Sequence, residues 1–194
     1  MIAEQFGICA YTGTPLDDRL GPLQDAVPNL VFQPHVEHIK PRSVCRDELE
    51  DRGGIYGCEL CEDMDHRNLV AALEVRRNPP LPAEIFGAAA HGNEELPVTP
   101  VQPDCESRFT FDDNGGIGGT DDDAIETIGL LRLDHVTMEG WRKGAIQAFF
   151  PIDEMPSRDE VQQLIESLDT PNNGRLPEFS FCIRGYAMLL LGES

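Results

Sequence analysis

The apolar positions of this chain come in short runs before residue 120 and at helical intervals after it. Phe6, Ile8 and Tyr11, followed by Gly13-Thr14-Pro15, predict a short strand and turn over 5–16. Residues 17–30 are polar and proline-containing and read as a loop. Val31-Phe32 then leads through Pro34 into His35-Val36-Glu37-His38-Ile39, a strand whose successive residues face opposite ways. Val36 and His38 share one face and Glu37 takes the other. Lys40-Pro41 ends the strand, because proline has no amide hydrogen to give a ladder. Charge and the glycines at 53, 54 and 57 mark 46–66 as a loop with a short second strand over 55–60. NLVAALEVRR, residues 68–77, is rich in helix formers and stops at Pro79, Pro80 and Pro82, which predicts a helix.

Residues 84–99, EIFGAAAHGNEELPVT, set His91 among small side chains. Arg108-Phe109-Thr110-Phe111 alternates, Asp112-Asp113-Asn114-Gly115-Gly116 turns and Ile117 resumes, which is a hairpin signature. From Thr120 the period becomes helical. Asp121 to Asp123 place negative charge at the start of a first helix, and Val136–Phe150 forms a second, stopped by Pro151. Ser157 with Glu160 makes a capping box for a third, whose Val161, Leu164, Ile165 and Leu168 share a face. Phe179, Cys182, Ile183, Tyr186 and Leu190 repeat the stripe in a last helix. Four helices packed on one another and on the hairpin give an α+β chain.

Composition narrows the picture. At 194 residues the chain can bury a real core, and no apolar run approaches the ~20 residues a membrane span needs. The N-terminal MIAEQFGICAYTG lacks the basic and long apolar regions of a secretory signal, so a soluble, cytoplasmic protein with no membrane partner is expected. Fifteen Lys and Arg against thirty-five Asp and Glu leave a formal charge of −20. Duplex affinity comes largely from cations that displace counterions from phosphates, so a free-standing DNA-binding protein is disfavoured. Arg42, Arg46, Arg52, Arg67, Arg76 and Arg77 nevertheless cluster in the sequence around 31–42; the acids read either as a solvated surface or as a reason to need a basic partner. The six cysteines of a cytoplasmic chain suggest metal or buried thiols before disulfides. Cys58-Glu59-Leu60-Cys61 has the spacing of half a zinc knuckle, and Cys9, Cys45, Cys58 and Cys61 form a candidate structural zinc set; Cys105 and Cys182 read as packed thiols.

The chemistry concentrates in VFQPHVEHIKPR, residues 31–42. A carboxylate beside an imidazole pairs a hard oxygen ligand for Mg²⁺ or Mn²⁺ with a base able to take a proton from water near neutral pH. With Asn68 in DHRNLVAALE and His91 in FGAAAHGNEE, the order Glu37-His38, Asn68, His91 resembles the HNH endonucleases, whose ββα-metal motif holds one divalent ion against a phosphodiester. CAYTG, VEHIKPRS, RNLVAALE, PDCESRFTFDDNGGI and AIETIGLLRLDHVTMEGWRK extend the likeness to the HNH subunit of Septu and retron-associated anti-phage systems.

That resemblance implies a ββα-metal core with hairpin over 1–119 and a C-terminal helical subdomain over 120–194. It implies His38 as general base, Glu37 and His91 as ligands of one Mg²⁺ or Mn²⁺, His35 as a further ligand or as a hydrogen-bond donor to one, and Asn68 as the group that pins the loop carrying the base. Its implied substrate is DNA, with RNA open beside it. Its implied partners are an ABC-type, SMC-like ATPase subunit and, in retron systems, a reverse transcriptase and its DNA. The chain departs from relatives that carry CxxC at both ends of the core: here the first is Cys9-Ala10-Tyr11-Thr12 and none follows Asn68, and Gly92-Asn93-Glu94-Glu95 lacks their lysine. A non-catalytic acidic adaptor or regulatory subunit on the same fold is the alternative.

Overall fold

A computed structural model describes residues 1–27, 30–56, 62–76, 84–151, 153 and 156–192. Strand β1 (Val31–His38) pairs antiparallel with β2 (Leu69–Arg76), with His38 opposite Leu69 and Val31 opposite Arg76. Around this pair lie the short helices α1 (Leu20–Ala26), α2 (Arg42–Asp51) and α3 (Ala88–His91). A second antiparallel pair, β3 (Phe109–Phe111) with β4 (Ile117–Gly119), is the expected hairpin, its turn fixed by the Asp112 carboxylate accepting from the Asn114 and Gly116 amides at 2.8 and 2.9 Å. Helices α4 (Asp122–Leu131), α5 (Val136–Phe149), α6 (Arg158–Leu168) and α7 (Ser180–Leu191) follow, so the chain is α+β. None of the described helices is long and apolar enough to cross a membrane.

The late helices form where local signals dictate. The Asp121 carboxylate caps α4 by accepting from the Ala124 amide at 2.9 Å, and Ser157 and Glu160 close a reciprocal capping box on α6. The early chain differs from expectation in four places, the first being 5–16, where turns and an isolated Ile8–Pro15 bridge stand in place of the expected strand. Residues 69–76 form β2, not a helix: Val70, Ala71, Ala72, Leu73 and Val75 are all buried, and a strand covered on both faces shows no alternation to betray it. Residues 20–26 form α1, with Pro22 in the first turn where its missing amide hydrogen costs nothing. Residues 42–51 form α2 directly after Pro41, burying Cys45 against Leu49 one turn on. The second strand expected over 55–60 falls mostly outside the described residues.

One apolar cluster runs from Cys9 to Leu191 and crosses the boundary expected at 119/120. Its members include Leu73, Met138, Ile146 and Ile183, each fully buried and each favouring the folded state by about 1.5–3 kcal/mol. Backbone amides of Leu176 and Phe179 donate to the carbonyls of Phe6 and Gly13, which ties the last helix to the N-terminal segment. Arg142, 1 % exposed, donates to the carbonyls of Gly115 and Leu133 at 2.7 and 2.8 Å and so joins the hairpin turn to the α4–α5 corner. Burial holds its pKa below the ordinary arginine value, against the opposing pull of nearby groups such as Cys182 and Glu139.

Asp17 performs the same service at the surface. It takes both Nε and Nη2 of Arg19 at 2.9 Å and faces Arg175 Nε at 3.4 Å, while Arg19 also donates to the Leu176 carbonyl at 2.8 Å. The bonded Arg19 guanidinium outweighs partial burial, and with Arg175 it holds the Asp17 carboxyl at about 2, below its ordinary 3.8. A depressed carboxyl stabilises the fold above its unfolded pKa and loses that contribution as the pH falls through its folded one. Asp17→Asn is therefore expected to cost about 1–2 kcal/mol at pH 7, after allowance for solvent screening, and the penalty should shrink between pH 3.8 and about 2; urea denaturation across that range measures it.

Candidate functional site

The β1–β2 register decides what meets at the site. Alternation puts Gln33, His35 and Glu37 on one face of β1, where Gln33 Nε2 donates to Glu74 at 2.9 Å and His35 Nε2 lies 3.2 Å from Glu37 Oε2. The other Glu37 oxygen, Oε1, lies 3.3 Å from Nε2 of His91. His91 comes from α3, a single turn bracketed by Gly87 (φ 68°, ψ −145°) and Gly92 (φ 61°, ψ −111°). Both are conformations that side chains resist, so the two glycines allow the chain to enter and leave this turn and seat His91 at 3 % exposure against the sheet.

His91 Nδ1 donates to the Glu94 carbonyl at 3.0 Å, which leaves Nε2 facing the Glu37 carboxylate. That 3.3 Å contact lacks hydrogen-bond alignment, and Nε2 is a buried polar atom with no hydrogen-bond partner. Burial works against charging this imidazole, but the Glu37 carboxylate and the Glu94 carbonyl prevail and raise its pKa above the ordinary histidine value. A carboxylate oxygen and an imidazole lone pair repel unless a cation, a proton or a metal ion, lies between them. An imidazole anchored through Nδ1 to a carbonyl, with Nε2 free beside a carboxylate, is the usual preparation of a metal-binding histidine. Glu37 and His91 thus fit neighbouring ligands of one Mg²⁺ or Mn²⁺, an ion that keeps several waters.

His35 sits on the opposite oxygen of Glu37 and 3.8 Å from Glu74, so it does not converge with His91 on one point; among the described residues, no group of three or more ligand-type side chains forms a ready-made ion cage. His35 holds the carboxylate from behind.

His38 projects to the other face. Its Nε2 donates to the Asp63 carbonyl at 3.0 Å, and because a carbonyl only accepts, the lone pair falls on Nδ1. Asp63, 4 % exposed, is itself anchored by the Tyr56 hydroxyl at 2.5 Å and lies 3.7 Å from Arg42 Nε. Asn68 ends a 3-10 turn just ahead of β2, not a helix start, and its side chain acts as one more rung of the ladder. Its Nδ2 donates to the Lys40 carbonyl at 3.1 Å, its Oδ1 accepts from the Lys40 amide at 2.7 Å, and its own carbonyl accepts from Ile39 at 2.9 Å. The corner that follows His38 is therefore locked to the start of β2.

The chain matches no protein-family model and no curated protein sequence.

The cationic surroundings are largely spent on acids. Lys40 reaches Glu48 at 2.5 Å and Glu62 at 3.0 Å; partial burial opposes its charge, but the two carboxylates prevail and push it up to about 12. Arg46 faces Asp47, Arg67 Asp65 and Arg76 Glu74, Arg52 donates to the Glu48 carbonyl, and Arg77 lies outside the described residues. His66 faces Glu4 at the surface, and His135 accepts from the Thr137 amide as the cap of α5. Of the candidate zinc set, Cys58 and Cys61 lie outside the described residues. Cys9 accepts from the Leu73 amide, and Cys45 lies 3.8 Å from Asn68 Nδ2. Cys9 thus packs against the middle of β2 and Cys45 against the turn that precedes it.

Tyr56, Asp63 and Tyr11 gave no sequence signal for the site. Tyr56 lies within a glycine-rich stretch and Asp63 after it, and Tyr11 reads as one apolar residue of a short strand, yet its ring packs edge-on against His91 with centroids 6.0 Å apart. Asn68→Ala should lose both bonds to Lys40 and lower stability by about 1–2 kcal/mol, with faster amide exchange at Ile39 and Lys40 measured by mass spectrometry.

Proposed function

We infer that the chain is a metal-dependent endonuclease of the HNH type, and the observation that carries this reading is the convergence of Glu37 and His91, 3.3 Å apart, with His38 next in sequence to Glu37 and anchored through Nε2 to the Asp63 carbonyl. Glu37 and His91 would hold one Mg²⁺ or Mn²⁺, which supplies Lewis-acid stabilisation of the charge that develops on a phosphodiester. His38 Nδ1 takes the proton from the attacking water, with the Asp63 carbonyl fixing its tautomer. Asn68 holds the corner behind His38, and His35 restrains the far oxygen of Glu37. DNA is the substrate proposed, with RNA the alternative phosphodiester. The net charge of −20 and the paired arginines favour a nuclease subunit that relies on a cationic partner for nucleic-acid contact, as in an anti-phage complex with an ABC-type ATPase and, in a retron system, a reverse transcriptase.

The same charge favours a second reading, an acidic adaptor without catalysis. Plasmid nicking with Mn²⁺, by the chain alone and with its ATPase subunit, separates the two. His38→Ala should reduce the rate at least about 100-fold. Equal rates for wild type and variant would remove the enzymatic reading, and an inert wild type under both conditions would favour the adaptor.

A further inference from the structure

Two polar atoms near the site are buried with no hydrogen-bond partner in the protein: Nε2 of His91, which faces Glu37, and the hydroxyl of Tyr11. Tyr11 is only 6 % exposed. A phenol that gives up water without gaining a partner is costly, and native folds rarely leave one. The phenol forms part of the wall of a half-open groove of about 540 Å³ lined by Ile8, Val98, Phe109 and Phe181 among others, but its oxygen is shielded from solvent and so does not open into that groove.

Backbone geometry places it on the site side. Ala10 donates to the Ala71 carbonyl at 3.1 Å, so the turn at residues 10–12 rests on the edge of β2 that β1 leaves free. Ala71 stands opposite Val36 and Val70 opposite Glu37, which brings this turn level with the Glu37 end of β1. The edge-on packing of Tyr11 against His91, rings inclined at 75°, agrees with this. Burial, and after it the Glu37 charge, raises the phenol pKa far above its usual value, so it stays a hydrogen-bond donor. The fold does not need the hydroxyl: the segment is held by the Ala10 bond and by the Cys9 amide on the Thr14 carbonyl at 2.8 Å.

We propose that the Tyr11 hydroxyl is a positioning group of the Glu37–His91 ion site, donating a hydrogen bond to an oxygen held there, of Glu37 or of a water, when a divalent cation is bound. This rests on the metal-dependent reading of the same site. In the cation-free protein the donor stays unsatisfied; with the cation it fixes the orientation of an oxygen ligand, a contribution that typically changes metal affinity 10- to 100-fold.

The test compares wild type, Tyr11→Phe and Glu37→Gln by Mn²⁺ titration, with free ion followed by electron paramagnetic resonance, and by melting in chelator. Tyr11→Phe should weaken Mn²⁺ binding about 10-fold or more. In chelator it should melt no lower than wild type, and by removing an unsatisfied group it should gain about 2–4 °C. Glu37→Gln should abolish binding. Equal Mn²⁺ affinity in Tyr11→Phe and wild type, or a lower melting temperature of Tyr11→Phe in chelator, would overturn the role of the hydroxyl and leave the metal site standing. A wild type that binds no Mn²⁺, or a Glu37→Gln that binds as wild type does, would overturn the metal reading and this inference with it.

Discussion

A carboxylate and an imidazole nitrogen 3.3 Å apart in a poorly solvated place require positive charge between them, and much of the first half of the chain is arranged to hold that demand in place. The pairing of β1 with β2 sets Glu37 toward α3. The two glycines that bracket α3 let one turn of helix press His91 onto the sheet, and the Glu94 carbonyl orients the ring. A proton shared by the pair meets that demand, and under the metal-dependent reading proposed above a divalent ion would compete with it for the same position.

His38 is governed by a separate set of contacts. Its neighbour in sequence, Glu37, points to the opposite face, so the two side chains are set by different partners: Asp63, Tyr56 and Arg42 on one side, α3 on the other. Asn68 locks the corner after His38, because its side chain bonds the amide and carbonyl of Lys40, two residues past the last residue of β1. Electrostatics outside the site run the other way. Arginines near the motif face carboxylates, so the surface offers phosphates little.

How much of this could be read from the sequence depended on how local the cause was. The helices after Thr120 announce themselves through Asp121, the Ser157–Glu160 box and apolar stripes, all within a turn or two. The hairpin does so through Asp112 and the glycines after it. β2 did not, because Leu69 to Val75 is covered on both faces and loses the alternation that marks a strand; α2 did not, because charged residues hide the pairing of Cys45 with Leu49. At the site, Glu37, His38, Asn68 and His91 were reached through the order of a family motif. Their spacing in the sequence says nothing of the distance between Glu37 and His91. Tyr11 and Asp63 carry no motif, and only folding shows what they touch.

The backbone clasp between Phe6–Gly13 and Leu176–Phe179 has a consequence for the order of events in folding. Closing so wide a ring costs little more entropy than closing a modest one, yet it must wait for distant parts of the chain to find each other. The segment that clasp secures is the one that carries Tyr11 against His91. The packing around His91 is therefore completed by an encounter between distant parts of the chain and cannot be finished by local pairing alone.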